Sequence, residues 1–170
     1  QFKYSSINEK FIFVTIHRAD NTNTRNRLKA ILDCLNEINK KIKVIFPIHP
    51  RTEKLIKKHK LSLGFKTIDP VGYKDSLELI KNCEFIITDS GGLVKEAYWS
   101  NKLSISLLDN PVWPEIIELN AGLNCKSTTK SIMNAYSKIN YLKPKYGRNI
   151  YGDGNSAKLI RKIIQKKLTR

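Results

Sequence analysis

Apolar positions along the chain fall into short unbroken runs, separated by stretches in which they recur every three or four residues. The run at 11–16 ("FIFVTI") is β-branched and aromatic almost throughout, which predicts a strand buried on both faces. Over 21–41 the pattern changes. Leu28, Ile31, Leu32, Leu35 and Ile38 repeat at helical spacing behind Asn and Thr residues able to cap, predicting one long helix. The alternation then continues. Strands are expected at 43–48 ("KVIFPI", with pairing ending near Pro47), 65–68, 84–88, 103–108 and 123–125. Helices are expected at about 52–60, 74–81, 93–100, 114–119, 127–139 and 156–168. The stretch 143–155 ("KPKYGRNIYGDGN"), rich in Gly and Pro, reads as the one long loop.

Strands alternating with helices at this rhythm imply an α/β protein of three layers, a parallel sheet with helices on both faces. Right-handed crossovers leave few topologies, led by a Rossmann-like doubly wound parallel sheet. A chain of 170 residues is long enough for one packed core and short for two, so 1–170 reads as a single domain. In such a sheet, ligands sit beyond the C-terminal ends of the strands. Five loops are therefore of interest: "HRADN" after the first strand, "HPRT" after the second, then "DPVGY", "TDSGG" and "LDNPVWPE".

Composition narrows the class. Hydrophobic content of 41% with 27% charged residues is globular, and the longest apolar runs, such as 103–108, are far shorter than a membrane span. Residues 1–10 are polar and lack a signal-peptide pattern. Cys34, Cys83 and Cys125 are odd in number and widely spaced, fitting neither a disulfide framework nor a metal site, so a reduced, cytoplasmic setting is expected. The formal charge of +16 would suit nucleic acid, but the lysines are spread along helices and no aromatic cluster accompanies them. A solvated basic surface on a protein that handles anionic ligands is the favoured reading. A nucleic-acid-binding domain rests on charge alone.

In "TDSGGLVKEA" two adjacent glycines stand where a strand hands over to a helix. Gly91 and Gly92 let backbone N–H groups approach a ligand closely, and a helix N-terminus favours an anion such as phosphate. Ser90 can add a hydroxyl or cap the helix, and Glu96 lies about one turn in, where it could accept from a ribose diol. The same spacing also fits a plain strand-to-helix turn with an N-cap serine. Neither G-x-G-x-x-G nor a Walker lysine occurs. His17 with Arg18, and His49 with Arg51, put two histidines and two arginines on one rim, which favours an anionic ligand. Asp20, Asp69, Asp75, Asp89 and Asp109 also fall near strand ends, without the histidine–carboxylate spacing of a metal site. No G-x-S-x-G elbow supports nucleophilic hydrolysis.

Taken in order, "VTIHRADN", "FPIHPRT", "IDPVGYKD", "IITDSGGLVKEA", "WPEI" and "YGDGNSAKLI" resemble the C-terminal half of UDP-N-acetylglucosamine 2-epimerases over residues 11–168. The resemblance implies a GT-B enzyme of two Rossmann-like domains facing across a cleft, with UDP held mainly by the half present here. The implied reaction converts UDP-GlcNAc to UDP-ManNAc by removing the C2 proton, expelling UDP and adding it back with C2 inverted. No nicotinamide or metal cofactor is implied. Ser90, Gly91 and Gly92 match the diphosphate loop, Glu96 the ribose-binding acid, and Val71 and Ser76 the uracil contacts. His17 matches a histidine at the substrate phosphate that assists catalysis, while His49, with Arg51 beside it, marks an effector or anion site.

One departure bears on the sugar. Trp113 in "PVWPE" replaces a substrate-binding arginine, and tryptophan is similar to the pattern of UDP-2,3-diacetamido-glucuronic acid 2-epimerases. Hydrolysing epimerases, which release the free sugar, share "YGDGN". The resemblance further implies an N-terminal domain, absent from this chain, that carries the carboxylates for C2 chemistry, and a homodimer when full-length. A UDP-sugar is the expected partner, with no nucleic acid and no membrane.

Overall fold

The structure, a computed structural model, describes residues 7, 9–147 and 149–168. The chain runs β1 (Phe11–Thr15), α1 (Ala19–Thr22), α2 (Arg25–Asn39), β2 (Lys43–Ile45), α3 (Pro50–Lys58), α4 (Tyr73–Asn82), β3 (Phe85–Thr88), α5 (Gly91–Trp99), β4 (Leu103–Leu107), α6 (Pro114–Glu118), β5 (Gly122–Cys125), α7 (Thr129–Ile139) and α8 (Ser156–Leu168). All strand pairs are parallel, in the order β2-β1-β3-β4-β5. The α/β doubly wound sheet expected from the alternating pattern is thus observed.

The unbroken apolar runs divide cleanly between two faces. Ile12, Val14, Val44, Phe85, Ile87, Ile105 and Leu107 point toward α2 and α7, where they meet Leu28, Ile31, Leu35, Ile132 and Ile139. Phe11, Phe13, Ile45 and Ile86 point the other way, against Leu79 and Ile80 of α4 and Ala97 of α5. Burying each such Ile, Leu or Phe side chain stabilises the fold by about 1.5–3 kcal/mol. A third, smaller cluster joins Val94 and Tyr98 of α5 to Ile116 and Leu119, and the 143–155 loop lays Tyr146, Ile150 and Tyr151 over it. Gly147, Gly152 and Gly154 in that loop all have φ near +80°, a region that L side chains rarely adopt.

Two expected elements differ. The helix over 21–41 is two helices, because the chain leaves helical geometry at Thr24. Thr24 is extended and starts α2, while α1 folds back on itself through Thr22 Oγ1, which donates to the Arg18 carbonyl at 2.9 Å. The strand expected at 65–68 is reduced to one parallel bridge, Pro47 with Ile68. Two hydrogen bonds hold it, Ile48 N to Ile68 O at 2.9 Å and Ile68 N to Phe46 O at 3.1 Å. Pro47 has no N–H to extend the ladder, so β2 ends at Ile45 and the sheet edge stays short. Counted as a rudimentary strand, this bridge converts the order to 3-2-1-4-5-6, with the switch point between β1 and β3.

The helix α8 has no buried residue, and Leu159, Ile160, Ile163, Ile164 and Leu168 along it are all more than half exposed. No helix among the described residues is long and apolar enough to cross a membrane.

The tightest packing against the sheet's far edge is at Gly122, where an added Cβ would lie 2.6 Å from Ser104 Oγ and 2.9 Å from the Ser104 carbonyl oxygen. Gly122→Ala is expected to destabilise the chain by about 1–3 kcal/mol through overpacking, read as a lowered urea midpoint at unchanged m-value.

Candidate functional site

The switch point gathers the loops that follow β1, β2, β3 and β4. Its centre is Asp89, directly after β3 and fully buried. The His17 backbone N–H donates to both Asp89 oxygens at 3.1 and 3.2 Å, and the Arg18 N–H donates to Oδ2 at 2.9 Å. Asn21 Nδ2 donates to the same oxygen at 3.1 Å and to the Leu107 carbonyl at 3.0 Å, while Ser127 Oγ donates to Asn21 Oδ1 at 2.6 Å. A buried carboxylate is tolerable only when its lone pairs are satisfied, and here backbone and amide donors do it. The network ties the end of β3 to the loops after β1 and β5 and to the last residue of β4. Thr88 adds a second tie, with its hydroxyl 2.6 Å from that of Thr15 and accepting from Ser90 N at 2.9 Å.

The glycine pair opens α5 immediately beyond this hub. Ser90 is the N-cap, its Oγ accepting from Leu93 N at 3.4 Å. The N–H groups of Gly91 and Gly92 have no protein acceptor among the described residues, and they sit at the positive end of a nine-residue helix. Neither glycine is needed for a positive φ. The reason for them is space. A Cβ on Gly92 would meet nothing nearer than Ser90 Oγ at 3.8 Å, so the room above the helix end is open. Around Gly91 it is filled by the 109–113 loop: a Cβ there would touch Trp113 Nε1 at 3.4 Å and Val112 at 3.5 Å.

Trp113, the N-cap of α6, donates its indole N–H to the Gly91 carbonyl at 2.7 Å. Lys95 Nζ lies 3.9 Å from the Trp113 ring centroid and 5.0 Å from that of Tyr151, whose ring stands edge-on to Trp113. The "WPE" and "YGDG" motifs, far apart in sequence, are thus locked together on α5. Burial, and next the Glu115 carboxylate, push the Tyr151 hydroxyl well above its ordinary pKa. Glu96, on the second turn of α5, is partly buried, and that desolvation raises its carboxyl above the usual range.

His17 sits just past β1 with its side chain 44% exposed and Nδ1 3.4 Å from Asp89 Oδ1. His49 caps α3, its Nδ1 accepting from Arg51 N at 3.1 Å, and the two imidazoles face each other at 6.3 Å between centroids. Arg51 reaches back to Asn23 Oδ1 at 2.8 Å. The rim of histidines and arginines expected from "HRADN" and "HPRT" therefore assembles. Beside it, Arg18, Asn21, Arg27, Asp109 and Val112 line a hollow of about 210 Å³, in which Arg27 Nη2 makes a forked contact to Asp109 at 2.7 Å to each oxygen. Val71 of the "DPVGY" loop and Leu93 of α5 both pack against the cluster that α4 and α5 bury on that face of the sheet. Ser76 lies partly buried on the first turn of α4, its N–H bonded to the Gly72 carbonyl at 2.9 Å.

The three thiols lie outside this cleft. Burial pushes Cys34 up to about 11 and Cys83 and Cys125 up to about 12, which leaves them inert as nucleophiles. No group of three or more His, Cys, Asp or Glu among the described residues is placed to hold a metal ion.

A doubly wound sheet with an open helix N-terminus at its switch point has the geometry at which phosphorylated ligands are commonly held. The family is narrower. The model of the UDP-N-acetylglucosamine 2-epimerase family matches residues 2–165, and the chain belongs to that family. It is 41% identical over 166 residues to a UDP-N-acetylglucosamine 2-epimerase of Methanococcus maripaludis, covering 92% of this chain and 45% of that protein. It is 33% identical to a UDP-2,3-diacetamido-2,3-dideoxy-D-glucuronate 2-epimerase of Pseudomonas aeruginosa, covering 92% and 44%. Its fold matches the crystal structure of the Methanocaldococcus jannaschii UDP-GlcNAc 2-epimerase in complex with UDP-GlcNAc and UDP, with a TM-score of 0.84 and 34% identity over 95% of this chain and 46% of that one. The chain thus spans somewhat under half the length of these relatives.

Asn21→Ala is expected to cost about 2–4 kcal/mol, because it removes one donor from the buried Asp89 carboxylate and another from the Leu107 carbonyl and leaves Ser127 Oγ without its acceptor. Ser90→Ala, which loses only a cap, should cost about 1 kcal/mol. Chemical denaturation of the two variants side by side checks the ranking.

Proposed function

We propose that this chain is the UDP-binding half of a UDP-N-acetylglucosamine 2-epimerase, serving nucleotide-sugar supply for cell-surface polysaccharide in the cytoplasm. The observation that carries the reading is the open end of α5, where Ser90, Gly91 and Gly92 offer a hydroxyl and two free N–H groups in one place. Those groups would hold the diphosphate. Glu96, one turn further on, would accept hydrogen bonds from the ribose hydroxyls, and Val71, with Ser76 on the following turn, would flank the base. His17 would reach a phosphate oxygen from the opposite lip of the cleft. His49 and Arg51 would form an anion or effector site on the same rim.

Epimerisation at C2 needs more than this half. The C2 proton has no neighbouring carbonyl and is weakly acidic, so its removal requires a positioned base in a closed, dry site. Both oxygens of Asp89 are engaged by the protein itself. A second α/β domain across the cleft, as in a GT-B enzyme, would bring the base and exclude water, and the full-length protein is read as a homodimer. With that domain in place, elimination breaks the C2–H bond and the bond from C1 to the UDP oxygen. The proton passes to the base, UDP leaves on the cradle, and re-addition forms the C1–O bond again with C2 reprotonated on its other face. No cofactor enters this scheme.

Trp113 favours a second reading of the sugar. Its indole N–H is committed to the Gly91 carbonyl and its ring carries Lys95, so it cannot provide the cation of an arginine at that position. A 2,3-diacetamido uronic acid is the alternative substrate, in line with the Pseudomonas aeruginosa relative.

UDP at a hundredfold excess over its Kd should stabilise the chain by about 2.7 kcal/mol, raising Tm by roughly 5–10 °C. A flat melt with UDP alongside salt-sensitive binding to random duplex DNA would replace the nucleotide reading by the nucleic-acid one. Gly92→Val should keep the fold, given the open space at that position, and abolish the shift. Glu96→Gln should weaken UDP binding by about 1.5–3 kcal/mol.

The same Glu96 substitution should slightly raise the Tm of the unliganded chain at neutral pH. Its carboxyl is raised by burial, so the contribution of Glu96 to stability is greatest below the unfolded value of 4.5 and declines as pH rises through the folded value. Proton NMR of the anomeric region should detect no turnover of UDP-GlcNAc by the 170-residue chain.

A further inference from the structure

Asp89 is more than a loop anchor. Its carboxylate is fully buried, and among the described residues the one ionisable group within ion-pair distance is His17, whose Nδ1 lies 3.4 Å from Oδ1. The same carboxylate takes the backbone N–H of that residue at 3.1 Å, so it hydrogen-bonds the His17 main chain while facing its ring at ion-pair distance. An ionised carboxylate only accepts hydrogen bonds. The facing ring nitrogen must therefore carry a proton for the contact to be favourable.

We propose that Asp89 is a positioning residue that holds His17 as the Nδ1–H tautomer and leaves Nε2 as the working nitrogen of the cleft. In the neutral ring, Nε2 offers a lone pair. When Nε2 takes up a proton, the ring becomes an imidazolium whose charge Asp89 balances and whose Nε2–H can donate to a phosphate oxygen. That use of Nε2 rests on the nucleotide reading above, whereas the tautomer does not. The neighbouring ring supplies an internal contrast. His49 Nδ1 accepts from Arg51 N at 3.1 Å, so its neutral form carries the proton on Nε2. Two histidines 6.3 Å apart are thus set in opposite tautomers by different partners.

Long-range proton–nitrogen correlation spectra of the uniformly 15N-labelled chain, at a pH where the imidazoles are neutral, read the tautomers directly. Signals are assigned by their loss in His17→Gln and His49→Gln. The expected pattern is Nδ1–H at His17 and Nε2–H at His49, with His17 drifting toward Nε2–H in Asp89→Asn. Nε2–H at His17 in the unsubstituted chain overturns the proposal, and that result requires no variant to fold. An Asp89→Asn chain that is folded by its amide spectrum yet keeps His17 as Nδ1–H overturns it as well. Calorimetry with UDP on the same sample separates the two readings. Binding that shifts His17 Nε2 supports the assigned role, and binding that leaves it unmoved removes that role. No binding removes the nucleotide reading and leaves the tautomer result as measured.

Discussion

A carboxylate with no solvent contact organises this cleft. Asp89 would be strongly unfavourable in an apolar interior, and the chain resolves the problem by sending it the N–H groups of His17 and Arg18 and the amide of Asn21. Meeting that demand dictates the path of the chain after β1. Asn21 reaches both Asp89 and Leu107 from α1, before the chain turns into the long helix. Ser127 extends the same network to the chain leaving β5. Four segments are held in register by polar contacts at the one end of the sheet where a ligand can approach.

The glycines then act through space. Trp113 is clamped over Gly91 on one side of the helix end, while the space above Gly92 stays open. Preorganised N–H donors at a helix end lose little freedom when an anion binds, which is the setting in which such donors are most effective. The aromatic cluster of Trp99, Trp113 and Tyr151 around Lys95 secures Trp113 in that position and pins the glycine-rich 143–155 loop to α5. A cation held over aromatic faces is partly desolvated and makes a stronger contact than the same pair in open water.

The open side of the cleft and the uncovered apolar stripe of α8 are consistent with a chain that spans less than half of its relatives. Grip on a leaving group and proton transfer at carbon make different demands. Under the proposed reading, the rigid end of α5 suits the first, and the second needs closure against water, which two domains facing each other achieve.

The alternation of apolar runs and helical periodicities was sufficient to read the parallel sheet, both buried faces and the loops that carry the site, because burial on two faces leaves a mark on every residue of a strand. The quoted motifs placed His17, His49, Ser90, Gly91, Gly92 and Trp113 on those loops. Other features could not be read that way. Asp89 and Asn21 both stood inside noticed motifs, yet nothing in residue type separates a buried, fully bonded Asp from an exposed one. The strand at 65–68 is reduced to the bridge between Pro47 and Ile68, a matter of pairing and not of propensity. The pairing of Lys95 with Trp113 and the grip of Asp89 on His17 join residues 18 and 72 positions apart. Sequence determined which side chains could meet at the cleft; the crossing of β1 beside β3 decided which of them do, because hydrogen bonds and ring contacts depend on distances of a few ångströms that only the folded sheet sets.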